Sequence, residues 1–461
     1  MKASSGRPST VGARAAVILL ACIGVSLALG VVARSGGGAV PSFRTTYIGT
    51  GNVCEPFAIG DLNGDRRPDL AVGCGSSGDF VGLWVYANRG SGRFREAGQY
   101  LTSDANPQEV TSVAIGDLDG DGKADLVAAT GSISVLLNRG DGTFLRPVAY
   151  PGGDAGSVAI GDLDRDGNAD LVAGNTNGVS VLLNRGGGTF PPPANYKTGR
   201  GGVWGNDRRL ALGDLNGDGA SDLVTQNSKD STLSVLLNKG DGTFLPERHY
   251  ATGGHPFSLA IGDLNGDGKP DIAATASSSG AHGTLAVLLN SGNGTFGPRR
   301  DVRGGSEGGV AIGDLNGDGK ADVAVPSERG IYVLLNRGDA RFQAKLEYSS
   351  TDSVEAAIAD LNGDKRADLA SANFTLLRND QYSSLAVMIN TPGVCNVQYV
   401  VRMTLATAKR ALARINCRVG KVSWAYSKVK KGRVISQKPK FGAVRHGGAK
   451  VKLVVSKGRR K

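Results

Sequence analysis

Histidine is nearly absent from this chain. His249, His255, His282 and His446 are the only four in 461 residues, and none sits at a spacing that suits zinc. No nucleophile–histidine signature stands out, and no glycine-rich loop leads into a helix that would cradle phosphate. Glycine is abundant, at 70 residues, but follows no three-residue period, which excludes collagen. Acidic residues are missing at both ends: none precedes Glu55, and none occurs from 392 to 461.

That last gap divides the charge. Of the 53 Lys and Arg, 19 lie in residues 392–461, which leaves 34 against 42 Asp and Glu in the remainder. The formal charge of +11 therefore describes a strongly basic tail joined to a mildly acidic body. Cysteine is sparse, at five residues. Cys54 and Cys74 flank one acidic loop and would face each other if the strands around it form a hairpin. Cys395 and Cys417 both lie in the tail, and Cys22 is left over. Two local pairs fit an oxidising compartment; the alternative is two pairs of buried free thiols. At the N-terminus Lys2, Arg7 and Arg14 precede an uncharged run of 19 residues, Ala15 to Ala33. Residues 1–41 thus read as an export signal or membrane anchor with its linker, and both readings place the protein outside the cytoplasm.

What the chain has instead is one acidic loop written seven times. GDLNGDGKPDI, from Gly262 to Ile272, is the cleanest copy. At loop positions 1, 3, 5 and 9 the copies carry Asp61, Asn63, Asp65 and Asp69; Asp117, Asp119, Asp121 and Asp125; Asp162, Asp164, Asp166 and Asp170; Asp214, Asn216, Asp218 and Asp222; Asp263, Asn265, Asp267 and Asp271; Asp314, Asn316, Asp318 and Asp322; and Asp360, Asn362, Asp364 and Asp368. Three or four carboxylates within nine residues repel one another unless a cation sits among them. An all-oxygen set without His or Cys suits calcium, with a backbone carbonyl near position 7 as a further ligand. An EF-hand is excluded, because position 12 is Val72, Ala128, Ala173, Thr225, Ala274, Val325 or Ser371 and never a carboxylate. A metal-free polar turn is the plainer reading of any single copy. The first and last loops place Arg66 and Lys365 at position 6, where the others have glycine, so of up to seven calcium sites these two are expected to be the weakest. The third has Arg165 at position 4 but keeps Gly167.

The loops recur every 45 to 56 residues, and short apolar runs flank them. The unit from Ser112 to Tyr150 parses as four strands: VAI, DLVAA, SVLLN and, after an NRGDG turn, Phe144 to Tyr150. Four strands per repeat is the pattern of a propeller blade. The last unit lacks its fourth strand, but a matching one precedes the first unit, at Phe43 to Tyr47. The expectation is a mainly β chain whose residues 42–391 form a closed seven-bladed propeller, completed by the N-terminal strand; the alternative is an open solenoid. Insertions fall at Ser76 to Gly82, Gly199 to Arg209, which carries Trp204, and Ala276 to Gly283. In the tail, Thr404 to Cys417 has helical spacing, and SWAYS, KGRVISQKP and KVKLVVSKG read as strands, which makes residues 392–461 a small α+β unit.

The loops, written D-x-(D/N)-x-D-G-x-x-D after an AIG strand and before NxGDGTF, resemble FG-GAP or VCBS repeats, the family of the integrin α head. That resemblance implies a seven-bladed propeller with calcium on the loop carboxylates; the chain is separately expected to be a non-enzymatic binding protein. The tail resembles a PASTA domain through its helix, its two cysteines, KGRVISQKP and VSKG. This implies attachment to peptidoglycan or an anionic wall polymer in a bacterial envelope. The expected function is an exported adhesion protein whose propeller presents a glycan- or protein-binding surface. The alternatives are a hydrolase or lyase working in the propeller channel, and a purely structural scaffold. RGD at Arg139–Asp141 and Arg337–Asp339 falls out of the repeat, since the same turn elsewhere reads GGG or KGD. No nucleic-acid partner is expected for the basic tail, because an exported protein seldom meets one.

Overall fold

The computed structural model describes residues 40–50, 54–75, 80–103, 108–201, 209–278, 281–303, 308–349, 352–377, 380–391, 395–396, 399–413, 417–440, 444–445 and 449–460. Blades are numbered here by their acidic loops. Each is a four-stranded antiparallel sheet. In blade two, Ser112–Gly116 enters the loop, Asp125–Ala129 leaves it, and Gly131–Leu136 and Val148–Ala155 complete the sheet. The first strand of every blade lies against the first strand of the next, and that of blade seven, Asp352–Ala359, returns against Cys54–Gly60 of blade one. The ring is closed.

Its seam is the one expected. Ser42–Gly49 pairs antiparallel with Asp380–Thr391, from Ser42 opposite Thr391 to Gly49 opposite Ser384, and supplies blade seven with its fourth strand. Apolar residues of the second and third strands point alternately to the two faces of each sheet, so every blade is buried on both sides. The propeller core is accordingly divided among the blade interfaces. Leu62, Leu83 and Val85 of blade one, for example, pack on Leu126, Leu136 and Phe144 of blade two. Glycine ends the first strand because the next blade comes so close: a Cβ on Gly60 would lie 2.8 Å from Ile115. Aromatic pairs tie the outer rim, with Tyr100 edge-on to Phe144 at 5.0 Å and Tyr250 to Phe296 at 5.2 Å.

One expectation needs correcting, and two further elements come to light. The fourth strand of blade two begins at Val148 rather than Phe144, whose backbone makes only an isolated bridge to Asn138. Its ring turns into the interblade core. The insertion at Ala276 to Gly283 is in large part strand, since it lengthens the hairpin Asp271–Ser278 and Ala281–Leu288. In the tail, Val444–Arg445 is a short strand paired with Cys395–Asn396. Cys54 and Cys74 form the expected disulfide. Cys417 is disulfide-bonded as well, while the side chain of Cys395 lies outside the described residues. So do Trp204 and the apolar run at 15–33.

Among the described residues the tail has one helix, Leu405–Ala413, started by Thr404, whose Oγ1 accepts from the Thr407 amide at 3.2 Å. A sheet of three strands, Arg418–Ala425, Lys450–Ser456 and Val434–Lys438 in that order, packs Val451, Leu453 and Val455 against Ala408 and Leu412. Its first pair is parallel.

Candidate metal centres

Each acidic loop joins the first strand of a blade to the second. The carboxylate at position 1 organises the turn: Asp263 accepts the Gly266 amide on Oδ1 at 2.7 Å and the Gly268 amide on Oδ2 at 2.8 Å. Asn265 at position 3 accepts the Asp267 amide at 2.8 Å, and Asp267 accepts the Lys269 amide at 3.0 Å. Positions 4 and 6 have positive φ, so Arg66 at 63°, Lys365 at 66° and Arg165 at 62° hold a conformation the other copies give to glycine. Arg165, at position 4 of the third loop, is strained in the same way although that loop keeps Gly167 at position 6.

Position 9 differs in kind. Asp69, Asp125, Asp170, Asp222, Asp271, Asp322 and Asp368 are buried, each at 0–1 % exposure, whereas the side chains at positions 1, 3 and 5 line the solvent rim. In each, Oδ2 accepts the amide of the position-2 leucine at 2.7–3.1 Å. Oδ1 accepts the amide of an asparagine at the end of the third strand at 2.6–2.8 Å. Burial pushes these carboxyls up, against the pull of the two amides, with the other loop carboxylates adding to the rise. Asp125, Asp170, Asp222 and Asp368 reach about 6, and Asp322 about 7.

The asparagines complete a circuit that sequence reading missed. Asn88, Asn138, Asn184, Asn238, Asn290, Asn336 and Asn390 each donate from Nδ2 to the position-2 leucine carbonyl of the preceding blade, at 2.7–2.9 Å. Asn88 closes the circle onto Leu361 of blade seven. Each leucine peptide thus has its N–H held by its own loop's aspartate and its C=O held by the next blade. The recurring N of NxGDGTF was the available signal.

The donor sets suit a hard cation. Ligand atoms of Asp117, Asp119 and Asp125 lie within 4.8 Å of one another, as do those of Asp162, Asp164 and Asp166. In the sixth loop both amide atoms of Asn316 are enclosed and have no hydrogen-bond partner. An enclosed, unpaired side-chain carbonyl oxygen within an acidic loop is a donor available to a hard cation.

Cationic side chains already reach several rims. The position-7 residues Arg67 and Lys123 pair with Asp65 and Asp121, each at 2.6 Å. The fourth loop has buried Ala220 there instead. Arg165 arrives from the third loop, donating to Asp218 O at 2.7 Å and to Asp218 Oδ1 at 3.0 Å. Asn216 donates to the remaining oxygen, Oδ2, at 2.8 Å. The Ala220 amide, then Asn216 and Arg165, hold the Asp218 carboxyl below its usual range. The fourth loop is thus partly neutralised by its neighbour.

At the ring axis Arg209 meets Glu355 at 3.2 Å, joining blades four and seven across 146 residues of sequence. Burial drives the Glu355 carboxyl up.

The FG-GAP-like repeat matches residues 61–128, 117–173, 162–225, 214–274, 275–325 and 314–371, and the FG-GAP repeat matches 255–294. The PASTA domain matches residues 396–457. No curated protein matches the chain. Among solved structures, BBS1N in complex with ARL6DN, soaked with mercury, is similar at 10% identity over 75% of this chain and 96% of that one, with a TM-score of 0.50. An Agrocybe aegerita lectin, described for specific recognition of non-reducing terminal N-acetylglucosamine, is 22% identical over 67% of this chain and 81% of its own, with a TM-score of 0.45. Seven four-stranded blades and the recurring acidic loop agree with the repeat and domain matches: the chain belongs to the FG-GAP-like repeat family and carries a C-terminal PASTA domain.

Proposed function

We propose that this is an exported, non-enzymatic binding protein of the bacterial envelope. Its propeller is braced by calcium and presents a glycan- or protein-binding surface, and its tail attaches to the cell wall. The observation that carries the calcium reading is the loop chemistry: converging carboxylates in loops two and three, and the unpaired Asn316 amide in loop six. Residues at positions 1, 3, 5 and 9 would hold the ion. Bound there, it would offset carboxylate repulsion and stiffen the rim. The disulfides support an oxidising compartment. Among the described residues no helix is long and apolar enough to cross a membrane. The PASTA match and the tail's charge support wall attachment. Purified wall should pull down the full chain, and a chain ending at Thr391 should stay in the supernatant. Retention of the shortened chain would place the wall contact on the propeller instead.

The calcium sites should not be equal. Arg165→Gly restores the glycine found at position 4 of the other loops and frees Asp218 from its guanidinium. Calorimetric titration of this variant should gain a tighter calcium site. Its unfolding free energy in EGTA should move by no more than about 1 kcal/mol, because relief of backbone strain offsets the loss of an exposed ion pair. A titration identical to that of the parent would show that Arg165 does not compete for the fourth loop.

A further inference from the structure

Two aromatic rings stand in water where the parallel strand pair of the tail ends. Trp424 is 46% exposed and Tyr426 is 58% exposed. They are two residues apart, Trp424 on the edge strand Arg418–Ala425 and Tyr426 just beyond its end. The backbone there is fixed: the Lys457 amide donates to Ala425 O at 2.8 Å, and the Ser427 amide to Gly458 O at 2.9 Å. Lys457 Nζ lies 5.4 Å from the Tyr426 ring centre, and Arg460 Cζ lies 5.9 Å from it. Two cations gathered at one ring repel each other, and residues 392–461 contain no Asp or Glu side chain to separate them. An anion from outside the tail would relieve that repulsion, and the rings beside it offer a face on which a sugar can stack.

The charge also covers both sides of the unit. Lys409 and Arg410 are exposed on the helix, while Lys450 and Lys452 are exposed on strand Lys450–Ser456, alternating with the residues that pack under that helix. A flat bilayer would meet one of these faces. A flexible chain with repeating charge can follow both. We propose, on the reading that the tail attaches to the wall, that its ligand is a phosphate-bearing glycopolymer gripped at Trp424 and Tyr426, with Lys457 and Arg460 on its phosphates.

The test uses the full chain and four probes: intact wall, the same wall stripped of its polyol-phosphate polymers, soluble poly(glycerol phosphate) with and without sugar substituents, and phosphatidylglycerol vesicles. Binding should fall roughly tenfold on stripping and weaken steeply with salt. Trp424→Ala with Tyr426→Ala should lose roughly tenfold on the sugar-bearing polymer and little on the bare one. Lys457→Gln with Arg460→Gln should weaken both and flatten the salt dependence. Melting curves matching the parent would show that these surface variants fold. Equal binding to intact and stripped wall would overturn the inference while leaving wall attachment standing. Vesicle binding as tight as polymer binding would overturn it in favour of a membrane, and folded variants that bind like the parent would overturn the assigned grip. Binding to no form of wall would remove both the inference and the attachment reading.

Discussion

Asp125→Ala is expected to destabilise the propeller by roughly 3–5 kcal/mol, in EGTA as well as in calcium. The carboxylate is buried and accepts the Leu118 amide at 2.8 Å and the Asn138 amide at 2.7 Å. Alanine leaves both donors enclosed without partners. It also loosens Leu118, whose carbonyl is the acceptor for Asn184 of blade three, so damage in one blade reaches the next interface. Asp125→Asn should lie between parent and alanine, because an amide offers only one acceptor oxygen for two donors. Asp121 in the same loop is exposed and pairs with Lys123. Asp121→Ala should therefore change the melting curve only when calcium is present. Urea unfolding with and without the chelator separates the two. If both variants lose stability in calcium alone, the buried aspartate is a ligand and nothing more.

Chelation itself should have an effect that depends on pH in a definite direction. At 100 times its dissociation constant, calcium adds about 2.7 kcal/mol for each occupied site, so several sites give a large fall in melting temperature when EGTA is added near pH 7.5. The buried position-9 carboxyls modulate this. Without metal burial raises all seven; Asp125, Asp170, Asp222 and Asp368 reach about 6 and Asp322 about 7, above the ordinary aspartate value near 4 of the unfolded chain. Between those values the native state holds more protons than the unfolded one, so metal-free stability falls as pH rises from about 4 to about 7. Calcium favours the ionised carboxylates and works against that slope. The gap between calcium and EGTA melting curves should be wide at pH 7.5 and nearly closed at pH 5. A metal-free protein that loses stability steadily on acidification over this range would contradict the burial argument.

Much of the architecture was legible in the sequence because it rests on short-range pattern. Period-two apolar runs gave the strands, and the unpaired Phe43 to Tyr47 segment foretold the seam with Asp380–Thr391. Cys54 and Cys74 could be placed opposite each other because the loop between them was already read as a hairpin. The division of labour within the loop was not legible. Four oxygen-bearing positions look alike on paper, and only the fold shows that the ninth turns inward to hold amides from Leu118 and Asn138, the latter 13 residues beyond it. Arg165 looked like a local oddity. Its partner, Asp218, is 53 residues away, and only the stacking of blades three and four brings them together. Arg209 and Glu355 were hidden for the same reason. In each case the missing information was which residues the ring places side by side.

The seam has a mechanical consequence. Ser42 pairs with Thr391, so the segment before the propeller and the segment after it leave from the same end of the same two strands. A pull applied between these segments loads the ladder one rung at a time, like opening a zipper, rather than sliding the strands past each other. If the leading segment is held at a membrane while the tail grips the wall, blade seven is the first to open, and tension between the two layers would be read out there.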